Sequence, residues 1–400
     1  MKILFVTTEA EPFAVVGGLG VVMRALPAAL RDLEADARIF IPRYLKVDNE
    51  KWNLKVIYEG LKVPTENQKG PKEIICNVKF HDPSAQKSEA PVPTYFLENM
   101  EYYEQRANVY GYADDVVRWM LLCRGALEFL RVSAWVPDVI VCTDWHCGLL
   151  ANIHRNFYAD DPVISKIPVV LSIHSLASQM SGAQPRFIAE GDADDGHTLL
   201  PAFEDPLLLK VNGMKRGIIN ADIINTVSST YAKEITTPEY GQGLDPLLRK
   251  KSEQKRLEGI INGLDYAYWN PESDEVIEHH FSRNDSGPRA QNKAVLQKFF
   301  ELPEREDVFV IGIVSRMVIQ KGIDLLESIT PALLQDLRIQ LIAVGEGDPR
   351  IMDILLNLQK LFPQSVAAKF SYQAKLPRLI YAGADVVLIP SRFEPSGLTQ

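Results

Sequence analysis

A chain of 400 residues, 46% hydrophobic and 24% charged, carries enough apolar material for two globular domains with separate cores. Its formal net charge of -9 and pI near 5.4 leave no overall basic field for nucleic acid or an anionic membrane, so any anionic ligand must be held by local cations. Cys76, Cys123, Cys142 and Cys147 form no CxxC pair, which argues against a zinc site and a disulfide framework and fits a reducing cytoplasm.

The chain opens on Lys2-Ile3-Leu4-Phe5-Val6, a buried-strand pattern with no charged leader, long apolar core or cleavage site, so neither an export signal nor a membrane span is expected. Short apolar runs then alternate with helix-period segments, the pattern of an α/β protein built from βα units on a mostly parallel sheet. Strands are expected over 3–7, 37–41, 94–97, 139–142, 169–173 and 223–227. After the first comes Glu9-Ala10-Glu11-Pro12-Phe13-Ala14-Val15-Val16-Gly17-Gly18-Leu19-Gly20, a glycine-rich turn opening a helix. Such a turn lets backbone amides approach a negatively charged ligand, and it reads equally as a plain tight turn. Tyr102, Tyr103, Tyr110 and Tyr112 are available either for packing or for stacking on sugar rings. Asp144-Trp145-His146 follows the fourth strand and Ser172-Ile173-His174-Ser175 ends the fifth, both at carboxyl ends, where polar residues of α/β sheets converge. The acidic stretch 181–197, with Glu190, Asp192, Asp194 and Asp195, reads as a solvated loop. The polar stretch 272–291 reads as a linker or surface excursion.

A second strand series is expected over 308–314, 339–344, 367–372 and 386–389, with an amphipathic helix over 349–361. Ser315-Arg316-Met317-Val318-Ile319-Gln320-Lys321-Gly322 places two permanent cations five residues apart after the first of these strands. A guanidinium fork and a compact ammonium there suit a departing diphosphate, although an isolated RxxxxK is also a common solvated turn. After the last strand, Glu394 followed by Pro395, Ser396 and Gly397 offers a carboxylate acceptor and open amides to sugar hydroxyls, or simply a polar turn.

Taken in order, these segments resemble the bacterial glycogen synthase and plant starch synthase family, retaining glucosyltransferases of the GT-B fold. The resemblance runs from the GGLG turn through Asp144-Trp145-His146, Ser172-Ile173-His174, Thr226-Val227-Ser228, Thr237-Pro238-Glu239-Tyr240-Gly241 and Gly243-Leu244-Asp245. It continues through Asn262-Gly263-Leu264-Asp265, Trp269-Asn270-Pro271 and the Arg316/Lys321 loop to Glu394-Pro395 with Gly397-Leu398-Thr399-Gln400. It implies two Rossmann-like domains facing a deep cleft: an acceptor-side domain over 1–245 and a nucleotide-sugar domain over 246–400. The second is expected to be incomplete, because the family pattern continues past Gln400. His174, Arg316, Lys321 and Glu394 would be catalytic. Gly17, Gly18, Gly345, Ser396, Gly397, Leu398 and Thr399 would join Arg316, Lys321 and Glu394 around the donor. Glu9, Asp144, Trp145, His146 and Ser175 would serve the acceptor side. The implied donor is ADP-glucose or UDP-glucose and the implied acceptor the non-reducing end of an α-1,4-glucan. No metal is required, because fixed cations neutralise the leaving group.

The sequence departs from that pattern in its first half. Val15-Val16-Gly17-Gly18-Leu19 stands where the family usually has Lys-Thr-Gly-Gly-Leu, Val21 where it has Asp, and Ser175, Ser178 and Met180 where it has Asn, Tyr and Gly. Two further readings therefore stay open: a silent glucan- or nucleotide-binding paralogue, and a GT-B glycosyltransferase with a different acceptor.

Overall fold

A computed structural model describes residues 1–85, 89–176, 194–371, 373 and 375–400. Ser178, Met180, Glu190 and Asp192 fall outside the described residues, as do most of the expected acidic loop and the last residue of the strand expected over 367–372. The chain divides into two compact units, Met1–Gly263 and Leu264–Gln400.

In the first unit, β1 (Lys2–Val6), β2 (Asp36–Pro42), β3 (Lys55–Pro64), β4 (Glu73–His81), β5 (Thr94–Glu98), β6 (Val139–Thr143), β7 (Val169–Ile173), β8 (Ile223–Thr226) and β9 (Leu257–Gly259) form one sheet. Its order is β3-β4-β5-β2-β1-β6-β7-β8-β9. The strands from β5 to β9 are parallel; β3, β4 and β5 pair antiparallel at one edge. Ile3, Leu4, Phe5 and Val6 of β1 are all buried, as a central parallel strand covered on both faces requires. The six strands expected in this unit are present within a residue or two. The β3–β4 hairpin is not among the expectations: β3 begins with three exposed residues and its pairing breaks register twice, so no clean alternation marks it.

The first three α-helices along the chain are α1 (Gly18–Asp32), α2 (Asp115–Val132) and α3 (Asp144–Phe157). The position of α3 is set by glycine contact with the helix Gly213–Asn220. A Cβ on Gly148 would stand 2.4 Å from the Gly213 carbonyl oxygen, so the two backbones touch and hold the start of α3 at the sheet's carboxyl edge. The helix Asp245–Glu253 and the β8–β9 pairing carry this unit past residue 245, the boundary expected from sequence.

In the second unit, β10 (Phe309–Val314), β11 (Ile339–Val344), β12 (Val366–Lys369) and β13 (Val386–Val387) form a parallel sheet ordered β12-β11-β10-β13. The helix Pro349–Leu361 forms where expected, with Asp348 capping it by accepting from the Arg350 N–H at 3.0 Å. The segment 272–291 is a pinned surface excursion within this unit, not a free linker. Asp274 accepts from Arg378 Nη1 at 2.9 Å, and the Asn292 side chain both donates to the His279 carbonyl and accepts from its N–H. Cys76, Cys123, Cys142 and Cys147 are buried and unbridged. Among the described residues no helix is long and apolar enough to cross a membrane.

Candidate functional site

In the first unit the loops after β1, β6 and β7, neighbouring strands, bring together Glu9, Asp144, Trp145, His146, His174 and Ser175. Glu9 anchors the glycine turn: its Oε2 accepts the N–H groups of Val16 (2.6 Å) and Gly17 (2.8 Å), and its Oε1 accepts the Tyr110 hydroxyl proton at 2.6 Å. The Glu9 carboxylate is buried, and a Cβ on Gly20 would lie 3.3 Å from Oε2, so the turn is built around that group. Gly17 caps α1 without a side-chain bond of its own, Gly18 is exposed, and the Glu9 carboxylate is the negative charge that meets the helix start. Val15 is half-buried, whereas Val16 and Val21 are exposed, apolar side chains on the surface around the glycine turn.

Asp144 adopts a left-handed backbone, φ 49°, strained for any residue but glycine and tolerated best by Asp and Asn. Its Oδ1 accepts the backbone N–H of His174 at 2.8 Å and of Ser175 at 3.3 Å, tying the end of β7 to the start of α3. Burial pushes its carboxyl up to about 7 against the lowering effect of those two amides, with Glu9 adding a smaller upward push. Burial also holds His174 down to about 4, so its imidazole is neutral at pH 7; Ser172 Oγ lies 3.2 Å from Nε2. His146 is held down to about 3 by burial and then by Arg118. Its ring stacks on Tyr110 at 4.8 Å and meets Trp145 at 4.3 Å. Tyr110 thus belongs to the site by touching Glu9, Thr8 and His146. The sequence offers it only as one of four tyrosines for packing or stacking; its contact with Glu9 has no local mark, because its partners lie far away along the chain. Tyr103, by contrast, is fully buried and packs.

The protonation of Asp144 has a measurable sign. A carboxyl whose folded value is raised above the ordinary 3.8 contributes stability that is complete below that value and lost as pH rises through about 7. The stability difference between the native chain and Asp144→Asn, which keeps the Oδ1 acceptor, should therefore fall between pH 4 and 8, by at most roughly 4 kcal/mol. Urea unfolding across that range checks it; a constant difference would mean Asp144 is ionised throughout.

In the second unit, β11, β10 and β13 are neighbours, and the loops leaving their carboxyl ends meet. Met317 N–H donates to the Glu346 carbonyl at 2.9 Å, Gln320 Nε2 to the Phe393 carbonyl at 3.2 Å, and Arg392 N–H to the Gln320 carbonyl at 2.9 Å. Lys321 Nζ lies 2.6 Å from Glu394 Oε1, which also accepts from Ser391 Oγ at 2.6 Å. The Arg316 guanidinium is exposed, with no partner among the described residues. Gly322 and Gly397 have φ of 68°. Ser396 and Leu398 lie on the same turn, and Thr399 bonds the Tyr381 hydroxyl. Gly345 has φ 146°, and a Cβ there would stand 1.7 Å from the Ser315 carbonyl oxygen. Gly345→Ala should therefore cost about 2–4 kcal/mol, read as a lowered thermal midpoint of this unit, and displace the Arg316 loop.

This second cluster is a carboxylate–ammonium pair, with a guanidinium that has no partner among the described residues five positions before the lysine on the same loop, and the loops are tied by backbone bonds. It can neutralise a diphosphate while offering a carboxylate to hydroxyl donors. The sequence-expected residues thus fall into two groups, one in each unit.

The chain as a whole is similar to known proteins. A family model described as the starch synthase catalytic domain matches residues 2–250. Glycogen synthases of Geotalea uraniireducens (strain Rf4) and Clostridium perfringens (strain 13 / Type A) are each 37% identical over 405 residues, spanning 100% of this chain and 80% of the relative. The catalytic domain of starch synthase IV from Arabidopsis thaliana, solved bound to ADP and acarbose, superposes with a TM-score of 0.80. It is 26% identical and covers 100% of this chain and 80% of that one. Anabaena Alr3699/HepE, solved with UDP and glucose, shares the fold at 15% identity and a TM-score of 0.51, covering 100% of this chain and 77% of its own.

Proposed function

The chain belongs to the glycogen and starch synthase family of GT-B glycosyltransferases, and from that premise we propose that it transfers glucose from ADP-glucose to the non-reducing end of an α-1,4-glucan with retention. The observation that carries this reading is the Lys321–Glu394 pair, whose lysine shares its loop with the exposed Arg316. In a bound donor, Arg316 forks onto diphosphate oxygens, and Lys321 turns part of its charge from Glu394 to the bridging oxygen that becomes the leaving group. Glu394, with the amides near Ser396 and Gly397, takes glucose hydroxyls. Neutral His174 offers a hydrogen bond to the sugar without adding a cation, its backbone held by Asp144. The retained configuration is assigned to front-face attack by the glucan hydroxyl, with the leaving phosphate taking its proton, so no protein nucleophile is invoked. Fixed cations take the part a metal would play, and the reaction belongs in the cytoplasm, where sugar nucleotides are the donors.

ADP-glucose is favoured over UDP-glucose by the starch synthase IV structure, which was solved with ADP. The test is nucleoside diphosphate release from each donor, with and without glycogen. Glycogen-dependent release from ADP-glucose supports the reading; release that ignores glycogen, or none at all from a folded chain, refutes it. A second reading, glucan or nucleotide binding without turnover, draws on Val15, Val21 and Ser175, which stand where the family pattern has Lys, Asp and Asn. Binding of ADP with no release from either donor would select it.

A further inference from the structure

The loops that leave β10 and β13 meet along a ladder of bonds, and Arg392 recurs along it. Its backbone N–H donates to the Gln320 carbonyl at 2.9 Å, and its Nη1 donates to the Ile319 carbonyl at 2.6 Å. The same guanidinium forks onto Asp324, Nη1 to Oδ1 and Nη2 to Oδ2, each at 2.8 Å. These contacts fall on both sides of Lys321 in the chain, at 319, 320 and 324, while Glu394, the partner of Lys321, lies two residues beyond Arg392.

The segment so held has little structure of its own. Lys321 ends one 3₁₀ turn, Ile319–Lys321, and after Gly322 comes a second, Ile323–Leu325. Turns this short bond with poor geometry and keep their place through contacts from outside. Gly322, with φ 68°, packs so closely on the other loop that a Cβ there would stand 2.0 Å from the Pro390 carbonyl oxygen. The planar fork of Arg392 fixes the orientation of this segment: bidentate on Asp324 and bonded to Ile319, it admits one arrangement where a flexible ammonium would admit several. The Arg392 and Asp324 side chains are 40% and 25% exposed, and ion pairs so exposed add little to stability, so what the fork contributes is geometry.

We propose that Arg392 is a positioning residue: its fork on Asp324 and its bond to Ile319 set the reach of Lys321 toward Glu394 and toward the diphosphate of the donor. That role rests on the function proposed above, which puts the diphosphate at Lys321. Arg392 acts through Lys321 and touches no substrate atom. The leverage is ample, because misplacing a catalytic group by about 1 Å costs up to about 10² in rate.

The experiment is a double-mutant cycle in the whole chain, reading glycogen-dependent nucleoside diphosphate release from ADP-glucose and, by titration, the affinity for ADP. Arg392→Gln is compared with the native protein, and again in a chain that carries Lys321→Ala. In the native background it should lower kcat about tenfold with donor KM nearly unchanged, weaken ADP several-fold and leave the thermal midpoint close to native. Arg392→Lys, which keeps the charge without the fork, should recover little of this. In the Lys321→Ala background the same substitution should cost less than about twofold, because the group it positions is gone. Asp324→Asn, alone and with Lys321→Ala, removes the ionic half of the fork and keeps the Ile319 bond, so it should show the same coupling at smaller size even if Arg392→Gln fails to fold. Losses that simply add, in rate and in ADP affinity, overturn the proposal and make Arg392 act independently of Lys321. A chain that releases no diphosphate but shows the coupling in ADP affinity would sink the transfer and keep the positioning. An active chain with additive losses would do the reverse, and a chain with neither release nor coupling would sink both.

Discussion

Lys321→Ala should lower kcat/KM for glycogen-dependent nucleoside diphosphate release by about 10²–10³, a loss of roughly 3–4 kcal/mol of transition-state stabilisation. Two effects add. On the proposed mechanism, the ammonium that meets charge developing on the leaving diphosphate is gone. Glu394, whose Oε1 now lies 2.6 Å from Lys321 Nζ, also turns an uncompensated carboxylate toward the same oxygens. Most of the loss should appear in kcat, because the charge on the departing phosphate peaks in the transition state, while KM for the donor rises less. Lys321→Arg should recover only part: its planar fork keeps the charge but does not place it on a single oxygen. The thermal midpoint should move little, since both side chains are partly exposed and such pairs contribute at most about 1 kcal/mol. Undiminished release from the alanine variant would put the diphosphate elsewhere.

The meeting of these two loops could be read from sequence because its parts are local. Arg316 and Lys321 share one loop, and Glu394 sits in another after a neighbouring strand, so a rule about carboxyl ends of parallel strands brings them together. The parallel strands were legible for a related reason: a strand buried on both faces is a continuous apolar run, as in β1 and β11. The β3–β4 hairpin hides because an exposed, bulged edge has neither a run nor a clean alternation. The contact that Tyr110 makes, though the residue itself stands among the four tyrosines open to packing or stacking, hides for a deeper reason. A tyrosine that closes on Glu9 and stacks on His146 is defined by tertiary surroundings that no spacing encodes. The role of Glu9 was likewise invisible: both its oxygens are taken by the turn and Tyr110, so in this structure it holds the loop.

Val15→Lys should raise turnover, by up to about 10² if the missing cation is all that the first loop lacks. The backbone there does not depend on side chain 15: the N–H groups of Val16 and Gly17 are fixed by Glu9 Oε2, and Gly17 caps α1 whatever precedes it. Val15 is only half-buried, so a lysine has a path to solvent, and the loop it would enter already points the start of α1 at negative charge. A new ammonium would add to that field where the fixed backbone leaves it unpaired. The native chain and the variant are to be compared in donor affinity and in kcat with glycogen. A gain in kcat with little change in affinity means that the scaffold retains the rest of the machinery and lacks transition-state charge. A folded variant with tighter donor binding but no faster transfer would shift the cause to the acceptor side, where Ser175 is tied by its N–H to Asp144. Selectivity among glucan, small-sugar and sugar-phosphate acceptors would then become the property that Val15, Val21 and Ser175 have altered.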